Sequence, residues 1–155
     1  MFVGGIVGRS YTASITDCIV EGSVSAKNHN GACNIYLGGV IGYADNVTLT
    51  RCISSTVCSA SAGKTPVAGG LVGYMQNSTK VTSCISLGSG TTYSYYNYYT
   101  YPHKFCAYVN GGSYSNCHSS VTYTQSFFTS NLGFDTSVWD LTEVASGKLP
   151  TLIQI

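Results

Sequence analysis

Seven cysteines, three histidines and six acidic residues are the side chains in this 155-residue chain from which a metal site or an acid–base pair would be built. His103, Cys106, Cys117 and His118 have the spacing of a loose zinc-ligand set. Neighbouring residues of a strand point to opposite faces, so Cys117 and His118 diverge, and both cysteines are already claimed by repeat columns described below. No metal is expected. Glycosidases need two adjacent carboxylates and a calcium-assisted lyase needs an acidic cluster. Asp17 and Glu21 are matched one repeat later by Arg51 and Ser55, while Asp140 and Glu143 lie in the C-terminal segment, so no acidic row forms. Ser59 to Thr65 ends like a phosphate loop, but Cys58 stands where its first glycine belongs and Pro66 follows where a helix would start. Neither catalysis nor a cofactor is expected.

Two N-glycosylation sequons, Asn46-Val47-Thr48 and Asn77-Ser78-Thr79, begin at the same place in successive repeats. Asn at a shared turn position follows from its backbone preferences alone, and glycan attachment adds the need for a host with that machinery. A denser feature is Thr91 to Pro102, where Tyr93, Tyr95, Tyr96, Tyr98, Tyr99 and Tyr101 fall within nine residues. Tyrosine offers a large contact area with a polar tip, so this stretch is the candidate surface for a sugar or protein partner. A half-buried edge strand with alternate tyrosines turned inward explains the same composition.

Only 8% of residues are charged, against about 25% in typical soluble domains. The net charge is +1 and the basic residues form no run, which argues against nucleic acid, whose phosphates select basic patches. No stretch approaches the roughly 20 apolar residues of a membrane span. The first residues lack the layout of a signal peptide, so a secreted form is expected to have lost its signal or to derive from a longer precursor.

The elements that must position these groups are set by a repeat. Gly4-Gly5-Ile6-Val7-Gly8-Arg9 returns as Gly38-Gly39-Val40-Ile41-Gly42-Tyr43 and Gly69-Gly70-Leu71-Val72-Gly73-Tyr74, with a degenerate copy at His103 to Tyr108. Each is followed by a short segment ending in Cys18, Cys52, Cys84 or Cys117, as in Leu49-Thr50-Arg51-Cys52. Such a period marks a stacked solenoid. The Ile, Val, Leu and Thr content, broken by Gly, Asn and Ser, predicts two or three short strands per unit. The fold expected is all-β: a right-handed parallel β-solenoid of about four rungs over residues 1–126, with units near 4–37, 38–68, 69–102 and 103–126, and a C-terminal cap over 127–155. A cap on the last rung is expected from Phe127, Phe128, Leu132, Phe134, Val138, Trp139, Leu141, Val144, Leu149, Leu152 and Ile153, with a short helix near Val138 to Ala145. The first rung has no comparable cover, which points to preceding repeats or head-to-tail assembly there.

Within that frame the glycines are expected at corners where a Cβ would clash or φ is positive. The four repeat cysteines form an internal column of mostly free thiols, and Cys58 falls in the column of Val24. Parallel Cβ vectors at rung spacing exceed the usual disulfide separation of about 3.5–4.5 Å.

The Gly-Gly-apolar-apolar-Gly-Tyr and Thr-x-Cys pattern resembles the GLUG-motif repeats of bacterial cell-surface and secreted proteins, over roughly residues 3–124. Trp139 to Leu152, with Gly147 and Pro150, is similar to segments that end such arrays. The resemblance implies a right-handed β-helix in a surface protein and carries over no active-site residue. A non-catalytic extracellular structural or adhesive module is the function expected, possessing a protein or surface-carbohydrate partner. A carbohydrate-binding or carbohydrate-processing β-helix is the alternative.

Overall fold

The computed structural model describes residues 1–28, 33–62, 64–94 and 101–154. The first turn of the coil comprises β1 (Phe2–Gly4), β2 (Val7–Tyr11), β3 (Ser14–Thr16), β4 (Ile19–Val20) and β5 (Ser23–Lys27). The second repeats this order as β6 (Ile35–Gly38), β7 (Ile41–Asp45), β8 (Thr48–Thr50), β9 (Ile53–Ser54) and β10 (Val57–Ala62). The third comprises β11 (Pro66–Gly69), β12 (Val72–Gln76), β13 (Lys80–Thr82), β14 (Ile85–Ser86) and β15 (Ser89–Ser94). A fourth, partial turn adds β16 (Tyr101–His103), β17 (Cys106–Asn110) and β18 (Ser113–Ser115), after which His118 bridges to Ile85. Like strands pair in parallel into five sheets, β1-β6-β11-β16, β2-β7-β12-β17, β3-β8-β13-β18, β4-β9-β14 and β5-β10-β15. The fold is a parallel β-solenoid.

Five strands per turn replace the two or three expected, and the cause is local. Asp17, Arg51, Ser83 and Asn116, the variable residues of the Thr-x-Cys segments, all adopt left-handed backbone, with φ of 54°, 50°, 54° and 51°. Thr12, Asn46 and Asn77 do the same after β2, β7 and β12, and Gly111 takes that place in the fourth turn. A single left-handed residue turns the chain sharply, so one apolar run becomes two short strands.

The glycines of the repeat owe their identity to crowding rather than to positive φ. A Cβ on Gly42 would lie 2.6 Å from the oxygens of Gly8 and Val3 and from the amide nitrogen of Val3. Here the backbone of β1 crosses that of β7, and only hydrogen fits between them. The paired corner glycines, such as Gly38 and Gly39, face carbonyl oxygens of their own corner and of the next turn in the same way.

Inward residues stack by type. Leu49 sits beside Val81, Ile41 beside Val72 and Ala44 beside Met75, all fully buried. Cys58 pairs in register with Val24, as the spacing required.

The C-terminal segment departs from expectation twice. Val138 to Ala145 contains no α-helix: β19 (Trp139–Asp140) pairs antiparallel with β20 (Thr151–Leu152), and only a 3₁₀ turn forms at Val144–Ser146. The Asp135 carboxylate accepts from the amide and hydroxyl of Ser137, and Asp140 does the same for Thr142. These side-chain bonds close turns that compete with helix. Second, the segment runs along the flank instead of covering the last turn. Phe128, Phe134, Trp139, Leu141 and Val144 pack on the column Ile19, Ile53 and Ile85. Val109 and Tyr114 of the fourth turn stay 45% and 47% exposed.

Candidate contact surface

Of the tyrosines singled out by sequence, Tyr95, Tyr96, Tyr98 and Tyr99 lie outside the described residues. Tyr93 closes the outward face of β15 and is 62% exposed. The backbone of Tyr101 continues the first sheet, paired with Val67.

A second aromatic group, which sequence reasoning treated only as part of the glycine motif, emerges from the register. Arg9, Tyr43, Tyr74 and Tyr108 form one outward column. Tyr43 stacks on Tyr74 at 5.0 Å and Tyr74 on Tyr108 at 5.1 Å, with rings within 10° of parallel. Phe2 and Tyr36, from the adjoining sheet, stack at 5.6 Å and meet this column edge-on. Arg9 ends the column, its guanidinium 4.7, 4.5 and 4.9 Å from the ring centres of Phe2, Tyr11 and Tyr43. Cation–π attraction and ring stacking stabilise this concave corner from outside, as the inward column does from within. Two residues along each strand runs a polar column, Tyr11, Asp45, Gln76 and Asn110. The Tyr43 hydroxyl donates to Gln76 Oε1 at 2.7 Å, and Asn110 Nδ2 donates to the Tyr74 hydroxyl at 3.1 Å. Burial raises the Tyr43 hydroxyl above its ordinary pKa. The signal for this group was the Tyr closing each glycine segment.

The sequon asparagines are exposed at their left-handed turns, and they tie the turns together. Asn77 Nδ2 donates to Asp45 Oδ1 at 2.6 Å, and Asn46 Oδ1 accepts from the Ser78 amide at 3.3 Å. Thr79, the third residue of the second sequon, is fully buried and its hydroxyl accepts from the Val47 amide.

Where the fourth turn adds no strand to β15 among the described residues, a cavity of about 450 Å³ opens beside Gly88, Ser89, Gly90, His103, Lys104 and Phe105. His103 Nδ1 accepts from the Phe105 amide at 3.2 Å. His118 lies elsewhere, its ring against Phe127 at 5.1 Å and its Nε2 beside Asn116 Oδ1. Cys106 meets Met75 in the core. The residues with zinc-like spacing therefore face different surroundings. Among the described residues no group of three His, Cys, Asp or Glu side chains is placed to hold a metal ion.

Asp17 is committed to structure. Its carboxylate accepts Arg51 Nε at 2.7 Å and a terminal guanidinium nitrogen at 2.6 Å, and also Trp139 Nε1 at 2.8 Å. The Arg51 hydrogen bonds hold its pKa below the ordinary 3.8. This clasp ties the C-terminal segment to the first turn.

All seven cysteines are free thiols. In the repeat column each thiol donates to the carbonyl two residues before it, as Cys84 does to Thr82 at 3.2 Å. The Cys52 amide donates to Cys84 Sγ at 3.4 Å. Side-chain hydrogen bonding between neighbouring thiols of the column lowers the pKa of Cys52 and Cys117 and raises that of Cys84; Cys117 is held down to about 7. Burial pushes Cys18 up to about 11 and Cys106 up to about 12. The expected result in the folded protein at pH 8 is that iodoacetamide alkylates Cys117 more than about tenfold faster than Cys18, as the thiolate is the nucleophile. Peptide mass mapping over time checks this, and equal rates would contradict the column's polarity.

The family model of the GLUG motif matches residues 3–25, from Val3 in β1 to Ser25 in β5. No curated protein and no solved structure matches the chain. The second and third turns repeat the matched turn strand for strand and in register. This chain carries a GLUG motif in its first turn and is built as a GLUG-motif repeat protein is expected to be, a β-solenoid of stacked parallel turns.

Proposed function

We propose that this chain is a non-catalytic structural and adhesive repeat module acting outside the cell or at its surface. The observation that carries the reading is that the recurring residues serve one another. Repeat glycines make room for crossing backbones, repeat cysteines bond to carbonyls of their own and the adjoining turn, and repeat tyrosines stack on their own copies. What the repeat maintains is a rigid wall. On such a wall contact specificity belongs to residues that do not recur, and Tyr93 is the most exposed of the described tyrosines at 62%. The partner is a surface carbohydrate or a protein, met by aromatic and hydroxyl groups with little net charge. A cell-surface or secreted location accords with the GLUG motif.

The cavity beside Ser89, His103, Lys104 and Phe105 supports a second reading, carbohydrate binding with or without processing, because it joins an aromatic ring to a cation and a hydroxyl. Incubation with a panel of neutral and acidic polysaccharides separates the two. The expected result is saturable retention on at least one polysaccharide, weakened about tenfold or more by Tyr93→Ser, without change in chain length. Shortening of any polysaccharide would overturn the non-catalytic reading, and retention unaffected by Tyr93→Ser would remove Tyr93 from the contact.

A further inference from the structure

The fourth turn breaks the glycine pattern at one corner. His103 stands in register on Gly69, and Lys104 follows at the place held by Gly5, Gly39 and Gly70 in the earlier turns. In each of those turns a Cβ would press into the corner carbonyl of the next turn, that of Gly39 for Gly5, of Gly70 for Gly39 and of Lys104 for Gly70. A side chain is admissible at this place only where no further turn stacks in the same register. Lys104 therefore sets a long cationic side chain where a fifth corner would lie, and the cavity beside Ser89, His103 and Phe105 opens at that point.

The lining is one-sided in its chemistry. His103 and Lys104 are exposed and Phe105 is half-buried. His103 Nδ1 accepts from the Phe105 amide, which in the neutral ring leaves the proton on Nε2 as a donor. Lys104 Nζ adds an ammonium and Ser89 a hydroxyl. The ion pairs among the described residues, Arg51 with Asp17 and Lys148 with Glu143, do not involve Lys104, and no carboxylate lines the cavity among those residues. The Phe105 ring supplies an apolar wall, and the volume of about 450 Å³ falls within the range of small-ligand pockets. Donors for an anion beside an aromatic ring match a sugar that carries a carboxylate. Its C–H face packs on the ring while the carboxylate takes charge-assisted hydrogen bonds.

We infer that this cavity binds a uronate unit of an acidic polysaccharide, with Lys104 as the residue that selects the charge. The inference rests on the carbohydrate-binding reading of the cavity and names its ligand class. A neutral sugar could use Phe105 and Ser89 but would leave the Lys104 ammonium without a counter-charge, and that difference is the specificity.

Isothermal titration with three probes tests it: a short oligogalacturonate, the same oligomer with its carboxylates reduced to hydroxymethyl groups, and dextran sulfate. Saturable binding of the oligogalacturonate is expected, about tenfold or more tighter than that of the reduced oligomer, since one charge-assisted hydrogen bond carries that much. Lys104→Gly returns the corner to the residue of the earlier turns and should lower the affinity about tenfold or more, whereas Lys104→Arg should keep it within about threefold. Unchanged Trp139 emission and thermal midpoint establish that both variants fold. Equal binding of the two oligomers, an affinity indifferent to Lys104→Gly, or dextran sulfate held as tightly as the oligogalacturonate would overturn the uronate assignment. So would a chain that retains neutral polysaccharides and not the oligogalacturonate, an outcome that leaves the carbohydrate reading standing. Retention of no saccharide of any kind would sink that reading and the assignment with it.

Discussion

Gly42→Ala is expected to lower the unfolding free energy by about 3 kcal/mol, measured by urea denaturation, although it adds one methyl group to a buried strand. The methyl would need to occupy a point 2.6 Å from three backbone atoms belonging to Gly8 and Val3. Backbone cannot rotate aside as a side chain does, so either β1 or the β7 ladder must shift, and a shift there propagates to Gly73, which meets Leu37 in the same way one turn on. Gly22→Ala is the contrasting case: no atom lies within 4 Å of the added Cβ, but φ is 99°. Strain of that kind costs about 1 kcal/mol. Equal losses at the two sites would mean that the crossing of β1 and β7 is looser than described.

The second large effect is expected at the clasp. Asp17→Ala removes the acceptor of Trp139 Nε1 and of the Arg51 guanidinium together, at a carboxylate only 17% exposed. Leaving those donors unsatisfied costs about 2–3 kcal/mol. The loss falls mainly on the C-terminal segment, which is then held chiefly by the contact of Phe128, Phe134 and Leu141 with Ile53 and Ile85, the ring contact of Phe127 with His118 and the bond from Asn116 to the Asn131 carbonyl. Trp139 is the only tryptophan, so its fluorescence reports this directly. Emission should move to the red, and exchange of amides in 127–149 should accelerate more than that in the core strands β7 and β12. Asp17→Asn keeps the shape and loses the charge, and should fall between the two. Acid has the same effect by a known sign: the folded pKa lies below 3.8, so the contribution of Asp17 is fully present above that value and is lost as pH falls through the folded pKa. A tryptophan emission unchanged in Asp17→Ala would place the indole elsewhere.

The period, the glycine corners and the cysteine column were legible because identical residues in stacked turns must share one environment, and that constraint is written at fixed spacing. The number of strands was not, because Asp17, Arg51, Ser83 and Asn116 share no residue type that announces left-handed backbone. Their common feature is position, one residue before a column cysteine. Tyr43, Tyr74 and Tyr108 were visible as repeats, but their stacking depends on outward faces of two sheets meeting at a concave corner, which a linear pattern does not encode. The flank position of the C-terminal segment was hidden for a related reason. Its apolar residues announce burial without naming a surface, and the column they cover, Ile19, Ile53 and Ile85, reads as ordinary inward strand. The bond from Trp139 to Asp17 joins residues 122 apart. Of the proposed contact tyrosines, Tyr93 alone has a described side chain, on the outward face of β15.

The most direct test of a parallel coil held by its own repeats is an amide-to-amide and Hα-to-amide nuclear Overhauser map of the labelled protein. The coil predicts cross-peaks linking Tyr43 with the neighbourhood of Tyr74, Leu49 with that of Val81 and Ile53 with that of Ile85, all in parallel register. Antiparallel cross-peaks between strands adjacent in sequence, such as β7 with β8, would contradict it and replace the solenoid with a stack of hairpins.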